Sequence, residues 1–373
     1  MSALLEVRDI ARHYRVRRGD GWWRRPATLK AVDGISFRIE RGQTLGLVGE
    51  SGCGKSTAAR LALGLLPATS GEALFDGASL STKHDAGWRA TRRRLQLVFQ
   101  DTLGALDRRL PVGRQIMEPL EIHAIGDADE RMERARELFA AVGLLPHLFE
   151  RYPHELSGGQ RQRVVLARAL IAGPDLIACD EPISALDVSI QAQVINLMQE
   201  LRERFGVAYL FISHDLKVVR QVSDEVAVMY LGRIVEQGNP ERVFRQPAHP
   251  YAQALVSAIP STHRTRQRMI LPGDPPSPVD VPQGCAFHPR CPMAMARCRA
   301  ETPALITLAD GHRVACHLVD GTPSLRARDE REQKGHVILS AAKDLGVSRP
   351  NTGDVTGRPT ARSFASLRTT GEG

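Results

Sequence analysis

Two patterns alternate along this chain: short uninterrupted apolar runs, and stretches whose apolar positions recur every three or four residues. "TLGLV" (Thr44 to Val48), "LIACD" followed by Glu181, and "YLFI" opening "YLFISHD" (Tyr209 to Asp215) are apolar runs that end on glycine, acids or histidine. Their length and flanks predict buried strands. "TAARLALGLL" (Thr57 to Leu66), "ADERMERARELFAAVGL" with its acids toward the start, and "GQRQRVVLARALI" carry helical spacing. Residues 4 to 99 read as strands plus one helix, about 100 to 170 as helix-rich, and 174 to 237 as strands and helices in alternation. The predicted fold class is therefore α/β, a parallel-sheet core with a helical insertion. "RRGDGWWRRPATLKAVDG" is expected to interrupt the first sheet as a polar loop in which Trp22 and Trp23 act as anchors. No internal repeat is visible. Beyond about residue 321 the chain is rich in Gly, Pro, Ser, Thr and Arg and poor in aromatics. A disordered tail is expected there, with one short helix near Val337 to Leu345.

Composition narrows the class. A chain of 373 residues has room for one large or two medium domains. No run is long enough to span a bilayer, and "MSALLEVRDIARHYRVRR" lacks an apolar secretory core, so the reading is a cytosolic chain without a membrane segment of its own. The formal charge of +8 raises the question of nucleic acid. Its basic residues are dispersed, with no aromatic-interleaved stripe, which fits a solvated basic surface better.

The chemistry is concentrated in a few places. "GESGCGKST" (Gly49, Glu50, Ser51, Gly52, Cys53, Gly54, Lys55, Ser56, Thr57) fits G-x-x-x-x-G-K-[ST] between a predicted strand and a predicted helix. Its backbone N–H groups can wrap a polyphosphate, Lys55 can reach the β- and γ-phosphates, and Ser56 is a natural Mg²⁺ ligand. Asp180 and Glu181 end an apolar strand. The first can hold the Mg²⁺ shell, and the second can orient and deprotonate a water. A second apolar strand delivers His214 to the same sheet edge. In "LSGGQ", Ser157, Gly158, Gly159 and Gln160 open a predicted helix and so form a second anion site. No lysine, metal ligand or base lies near it in sequence, which makes it half a site whose other half belongs to a partner.

"GESGCGKST", "VFQD", "LSGGQRQRV", "CDEPISALD" and "FISHD", in this order and spacing, resemble the ATP-binding subunit of an ABC transporter over about residues 4 to 240. The resemblance implies a P-loop NTPase cassette with a parallel-sheet core, added antiparallel strands and a helical signature subdomain at about 100–170. It implies ATP hydrolysis with Mg²⁺, Gln100 contacting the metal and reporting nucleotide state to a membrane partner, and Tyr14 stacking on adenine. It also implies that Asp187 touches an opposite subunit, and that Ser157, Gly158 and Gly159 cap the γ-phosphate held by that subunit. The partners implied are a second ATPase subunit, in a heterodimer of homologues, two transmembrane permease subunits and, indirectly, a solute-binding protein. No nucleic acid is implied, and the chain would work at the cytoplasmic face of the inner membrane.

"HPYAQALVSAIP", "LPGDPPSPVDVPQGCAFHPRCPMAMARC" and "VACHL" resemble the C-terminal region of oligopeptide and dipeptide importer ATPases, which points to peptide cargo. Nickel and glutathione importers share much of the pattern and stand as alternatives. The domain reading is a cassette at 1–240, this Cys-rich extension at 241–320 and the tail at 321–373. A chromosome or repair ATPase would part its phosphate loop from "LSGGQ" by a long coiled coil, and a translation-factor ATPase would carry two cassettes; neither fits. A non-catalytic cassette is opposed by the presence of Lys55, Asp180, Glu181 and His214 together.

Of six cysteines, Cys53 and Cys179 sit inside the ATPase motifs and read as packing residues. Cys285, Cys291, Cys298 and Cys316 cluster in the extension, where a metal staple can replace a thin core. Their separations of five, six and seventeen intervening residues suit zinc poorly. The similar importer ATPases carry a [4Fe–4S] cluster in this region, so the resemblance implies that these four ligate one. Zn²⁺ is the alternative, and no metal the third reading.

Overall fold

The computed structural model describes residues 3–18, 25–82, 85–184, 186–259 and 268–319. The expected tail from 321, its helix near Val337 to Leu345, and Trp22 and Trp23 lie outside the described residues. In chain order the strands are β1 (Leu5–Arg18), β2 (Arg25–Ile39), β3 (Thr44–Val48), β4 (Ser70–Phe75), β5 (Ala78–Ser79), β6 (Leu95–Val98), β7 (Leu176–Asp180), β8 (Ala208–Ile212), β9 (Glu225–Tyr230), β10 (Arg233–Gly238), β11 (Ile306–Thr307) and β12 (Arg313–Val314). The α-helices are α1 (Lys55–Ala62), α2 (Ala86–Arg94), α3 (Val112–Ile122), α4 (Ala128–Ala141), α5 (Gly158–Leu170), α6 (Val188–Phe205), α7 (Leu216–Val222), α8 (Pro240–Arg245), α9 (Pro250–Ser257) and α10 (Ala296–Ala300).

The main sheet runs β11-β12-β10-β9-β3-β8-β7-β6. Its five strands from β9 to β6 are mutually parallel, and the others add in antiparallel fashion. Every residue of β3, β7 and β8 is buried, because a parallel sheet is covered on both faces. Side chains alternate across a strand, so residue parity decides which cover each one meets. Ile177, Cys179, Tyr209 and Phe211 face the core shared with α3, α4 and α5. Leu176, Ala178, Leu210 and Ile212 face the other core, shared with α1 and with Leu5, Val7, Phe37 and Ile39 of the smaller antiparallel sheet β2-β1-β4-β5.

Of the stretch read as a polar loop, residues 19–24 lie outside the described residues, and the part that follows them is strand. Arg25 to Gly34 belongs to β2 and pairs with β1, with Leu29 opposite Tyr14 and Val32 opposite Arg12. Backbone pairing with a long neighbouring strand outweighs the polar composition of the stretch. The expected helix from Thr57 begins two residues earlier, at Lys55, since Gly54 at φ 105° serves as its N-cap. In the helical subdomain α4 is capped by Asp127, whose side chain accepts from the Asp129 and Glu130 N–H groups, and the Phe139 ring meets Phe149 edge-on at 5.2 Å.

The extension shares the cassette's core. Val314 of β12 pairs with Glu236 of β10, and Phe287 is 1% exposed between Tyr230, Tyr251 and His249. Such burial is worth about 1.5–3 kcal/mol. Glu236, wholly buried, accepts from the Ala248 and His249 N–H groups and pairs with His312 Nε2 at 2.9 Å. His249 in turn caps α9, its Nδ1 accepting from the Tyr251 N–H at 3.0 Å.

Burial holds the His249 ring neutral, its pKa lowered from 6.5 to about 3. Above pH 6.5 the ring is neutral folded and unfolded alike, and contributes no pH dependence. Below it the unfolded chain takes a proton that the folded chain refuses, so stability falls as pH drops from 6.5 toward 3, by up to about 1.4 kcal/mol per pH unit. His249→Asn keeps a capping acceptor and removes the titration. Denaturant melts at pH 6.5 and 5 are expected to show a markedly smaller loss for the variant; equal slopes would exclude His249 as the source.

Candidate functional site

The carboxyl ends of the parallel strands meet along one sheet edge, as open α/β sheets require of a ligand site. β3 ends into the loop Gly49 to Gly54, and α1 starts from it. A Cβ on Gly54 would come 2.1 Å from the Ala31 carbonyl oxygen, at a φ that side chains rarely adopt, so only glycine closes this turn. Lys55 is buried beneath the loop, its Nζ donating to the carbonyls of Gly49 and Glu50 at 2.9 Å each. A cavity of about 500 Å³ opens here, of the size small-molecule sites occupy. Ser51, Gly52, Gly54, Lys55, Ser56 and Thr57 line it from the loop, and Gln100 and Glu181 from the facing strand ends. Tyr14, Leu29 and Ala31 line it from β1 and β2, and Pro278 from the extension. Gly49 and Cys53 lie behind the loop, Cys53 buried at 6% exposure and its thiol pushed up by that burial.

Ser56 Oγ donates to Asp180 Oδ1 at 2.8 Å. Burial raises the Asp180 carboxyl above its usual range, a larger effect than the hydrogen bond from Ser56 and the pull of Arg60 and Lys55. A buried carboxylate bonded to the Ser56 hydroxyl, with the Gln100 amide lining the same cavity as Ser56, is a hard oxygen donor set that suits Mg²⁺.

Glu181 follows directly. Its backbone sits at φ 49°, the left-handed region, and its N–H donates to the Ile212 carbonyl of β8 at 2.9 Å. A non-glycine residue held there is strained by about 1–3 kcal/mol, and such strain gathers at working sites. Gln100 Nε2 donates to Glu181 Oε2 at 3.1 Å, and His214 Nδ1 lies 3.3 Å from the same oxygen. Sequence positions 100, 181 and 214 thus converge on one carboxylate. That arrangement can hold a water and take its proton. Tyr14 presents its ring to the cavity while the Arg12 guanidinium lies 4.6 Å from the ring centre.

"LSGGQ" is elsewhere: neither Ser157 nor the glycines line this cavity. Ser157 is the exposed N-cap of α5, accepting from the Gln160 N–H while Gln160 Oε1 accepts from the Ser157 N–H, a capping box. A Cβ on Gly159 would meet Ile190 of α6 at 2.6 Å, so this glycine is also needed for helix packing. Asp187, exposed at the N-terminus of α6, caps nothing with its side chain. It shares its surface with the signature through Leu186 and Ile190, which face Gly158 and Gly159.

All six cysteines are free thiols. Cys179 is fully buried beside Tyr209 and packs in the core. In the extension the Cys285 N–H donates to the Cys298 carbonyl at 2.8 Å. Burial, reinforced by the neighbouring Cys285, Cys291 and Cys298, pushes the Cys316 thiol up to about 12. Among the described residues, no group of three or more His, Cys, Asp or Glu side chains stands ready to hold a metal ion. Residues that sequence reasoning did not place at this site are Leu29, Ala31 and Pro278, which line the cavity, and Tyr251 and Arg290, which bond to Glu50 of the loop. Tyr251, Pro278 and Arg290 lie in the two C-terminal stretches marked by their resemblance, but nothing local ties them to the nucleotide site.

Residues 32–184 match the family model described as ABC transporter, and residues 235–298 match that described as Oligopeptide/dipeptide transporter, C-terminal region. The chain is 49% identical over 322 residues to the oligopeptide transport ATP-binding protein AppF of Bacillus subtilis, covering 85% of this chain and 98% of that protein. It is 48% identical over 325 residues to the oligopeptide transport ATP-binding protein OppF of Escherichia coli, covering 86% and 97%. Among solved structures, cbiO1 of Clostridium perfringens, part of the ABC transporter complex cbiONQ, superposes with TM-score 0.58 at 29% identity over 66% of this chain and 92% of that one. The ATP-binding cassette MJ0796, solved as a dimer in a post-hydrolysis state with ADP and Pi, superposes with TM-score 0.56 at 26% identity over 63% and 98%.

Proposed function

The chain belongs to the ABC transporter family, with the C-terminal region of its oligopeptide and dipeptide transporters, and from that premise we propose that it is the ATP-hydrolysing subunit that energises peptide import across the bacterial inner membrane. The observation that carries this is that Lys55, Ser56, Gln100 and Glu181 line one cavity, with Asp180 bonded to Ser56 and His214 beside Glu181.

Lys55 binds the β- and γ-phosphate oxygens of ATP, and the loop N–H groups orient them. Ser56 and Asp180 would hold Mg²⁺, with Gln100 beside them, and the metal would supply neutralisation of the charge that develops on the phosphate oxygens. Glu181 orients the attacking water and accepts its proton at Oε2, the oxygen that Gln100 and His214 fix. Tyr14 receives the adenine face. Ser157 and Asp187 are exposed off this cavity, with Gly158 partly exposed beside Leu186, which supports their serving the ATP of a second subunit docked head to tail, with Gly159 packed beneath them. The dimeric MJ0796 cassette gives the same reading support from a relative.

Among the described residues no helix is long and apolar enough to cross a membrane, so translocation falls to permease subunits. Phe99 (46% exposed) and Ile122 (60% exposed) line a groove next to Gln100, an apolar seat for a permease at the cytoplasmic face. A paired homologous ATPase, two permeases and a solute-binding protein complete the assembly. Peptide is the cargo carried by the relatives' names.

The proposal extends to a structural [4Fe–4S] cluster on Cys285, Cys291, Cys298 and Cys316, with one zinc as the alternative. Four free thiols in one short segment, with Cys285, Cys291 and Cys298 near enough to Cys316 to act on its thiol, support the donor chemistry.

Glu181→Gln should keep MgATP affinity and cut turnover at least about a hundredfold, trapping an ATP-bound dimer on gel filtration; near-normal turnover with the partner site disabled would show that another base serves. In the assembled pair, Ser157→Arg should leave ATP binding to the isolated chain intact and abolish hydrolysis at the partner's site. Loss of binding by the isolated variant would mean that the signature serves its own site. Anaerobically purified chain should be brown, with iron and sulfide at about four each, and Cys291→Ser should bleach it. Colourless chain with one zinc would replace the cluster by the staple, and metal-free chain would overturn both.

A further inference from the structure

Glu50 is the second residue of the phosphate loop, and each of its polar groups is taken. Its carbonyl accepts from Lys55 Nζ at 2.9 Å. Its N–H donates to the Tyr251 hydroxyl at 2.9 Å, across 201 positions of sequence. Its carboxylate receives two bonds from Arg290, Nη1 to Oε2 at 2.8 Å and Nη2 to Oε1 at 3.1 Å, across 240 positions. This is the paired geometry in which arginine binds a carboxylate most firmly. It is sheltered, the side chains of Arg290 and Glu50 being 8% and 26% exposed.

Both partners are rigidly mounted. Tyr251 is wholly buried at the start of α9, its N–H on the His249 ring and its own ring 4.7 Å from that of Tyr230. Arg290 ends a single 3₁₀ turn, His288–Arg290, whose backbone bonds back to the buried Phe287. That turn lies between Cys285 and Cys291. The extension therefore grips the phosphate loop at one residue from two directions.

A carboxylate at this place has a cost. The loop exists to hold a polyphosphate, and an unpaired negative charge one residue from Gly49 repels it. We propose that Arg290 is a positioning residue of the nucleotide site, holding the Glu50 carboxylate paired and away from the phosphates while Tyr251 fixes the loop backbone. The C-terminal extension is then a working wall of the ATP site, and Pro278, which lines the same cavity, belongs to that wall. This rests on the ATP-binding reading above.

The test is calorimetric titration of the full chain with MgATP, alongside melting without nucleotide. Arg290→Gln should weaken MgATP affinity about tenfold, and adding Glu50→Gln to it should restore affinity to within about threefold of the parent, because no charge is left to repel. Glu50→Gln alone, which removes the carboxylate and leaves Arg290 unpaired beside the loop, should bind MgATP more tightly than the parent. A lowered melting temperature alone cannot produce that rescue. Parent-like affinity in Arg290→Gln, or no recovery in the double variant, overturns the proposal. Should Arg290→Gln not fold, Glu50→Gln alone decides: affinity above the parent's upholds it, and parent-like or weaker affinity overturns it. A parent chain that binds no MgATP would overturn the function reading and this inference together.

Discussion

A parallel strand that is apolar on both faces must be covered on both, and the whole molecule follows from that constraint. β3, β7 and β8 leave no residue exposed to water. One face is closed by α1 and the antiparallel sheet, the other by the helical subdomain, and alternation along each strand sorts the side chains between the two cores. Polar chemistry is thereby driven off both faces and onto the strand ends.

At those ends, elements distant in sequence share a few ångströms. Asp180 and Glu181 leave β7, Ser213 and His214 leave β8, and the phosphate loop leaves β3. Buried surroundings do the tuning: desolvation raises Asp180, and the strained backbone of Glu181 aims its carboxylate at Gln100 and His214. The same rigidity keeps "LSGGQ" away from the chain's own phosphate loop. A capped helix end, well satisfied by its own serine and glutamine, remains exposed beside Asp187. Under the head-to-tail reading proposed above, each chain contributes one half to each of two phosphate sites.

The extension is tied to the same framework. It adds β11 and β12 to the main sheet, buries Phe287 among the cassette's aromatic rings, and reaches the phosphate loop through Tyr251 and Arg290. The "HPY" motif is mechanical: His249 caps α9 and hangs from Glu236, Pro250 starts the helix, and Tyr251 touches Glu50. Metal chemistry at the four thiols, if supplied, would act on a segment already joined to the nucleotide site.

The sequence by itself determined what depends on near neighbours. "TLGLV" and "LIACD" are strands at the residues read from their apolar runs, because full burial leaves a local signature. Gly54 to Ser56 announce a phosphate loop, and Ser157 with Gln160 announces a capped helix start, because those interactions span a few residues. Composition misled at Arg25 to Gly34, where a polar stretch is a strand because β1 lies beside it. Pairings across the fold had no local signal at all. Glu50 with Arg290, Gln100 with Glu181, and the sharing of one sheet by residues 236 and 314 were decided by tertiary structure, since only the packing of two cores fixes which distant charges meet.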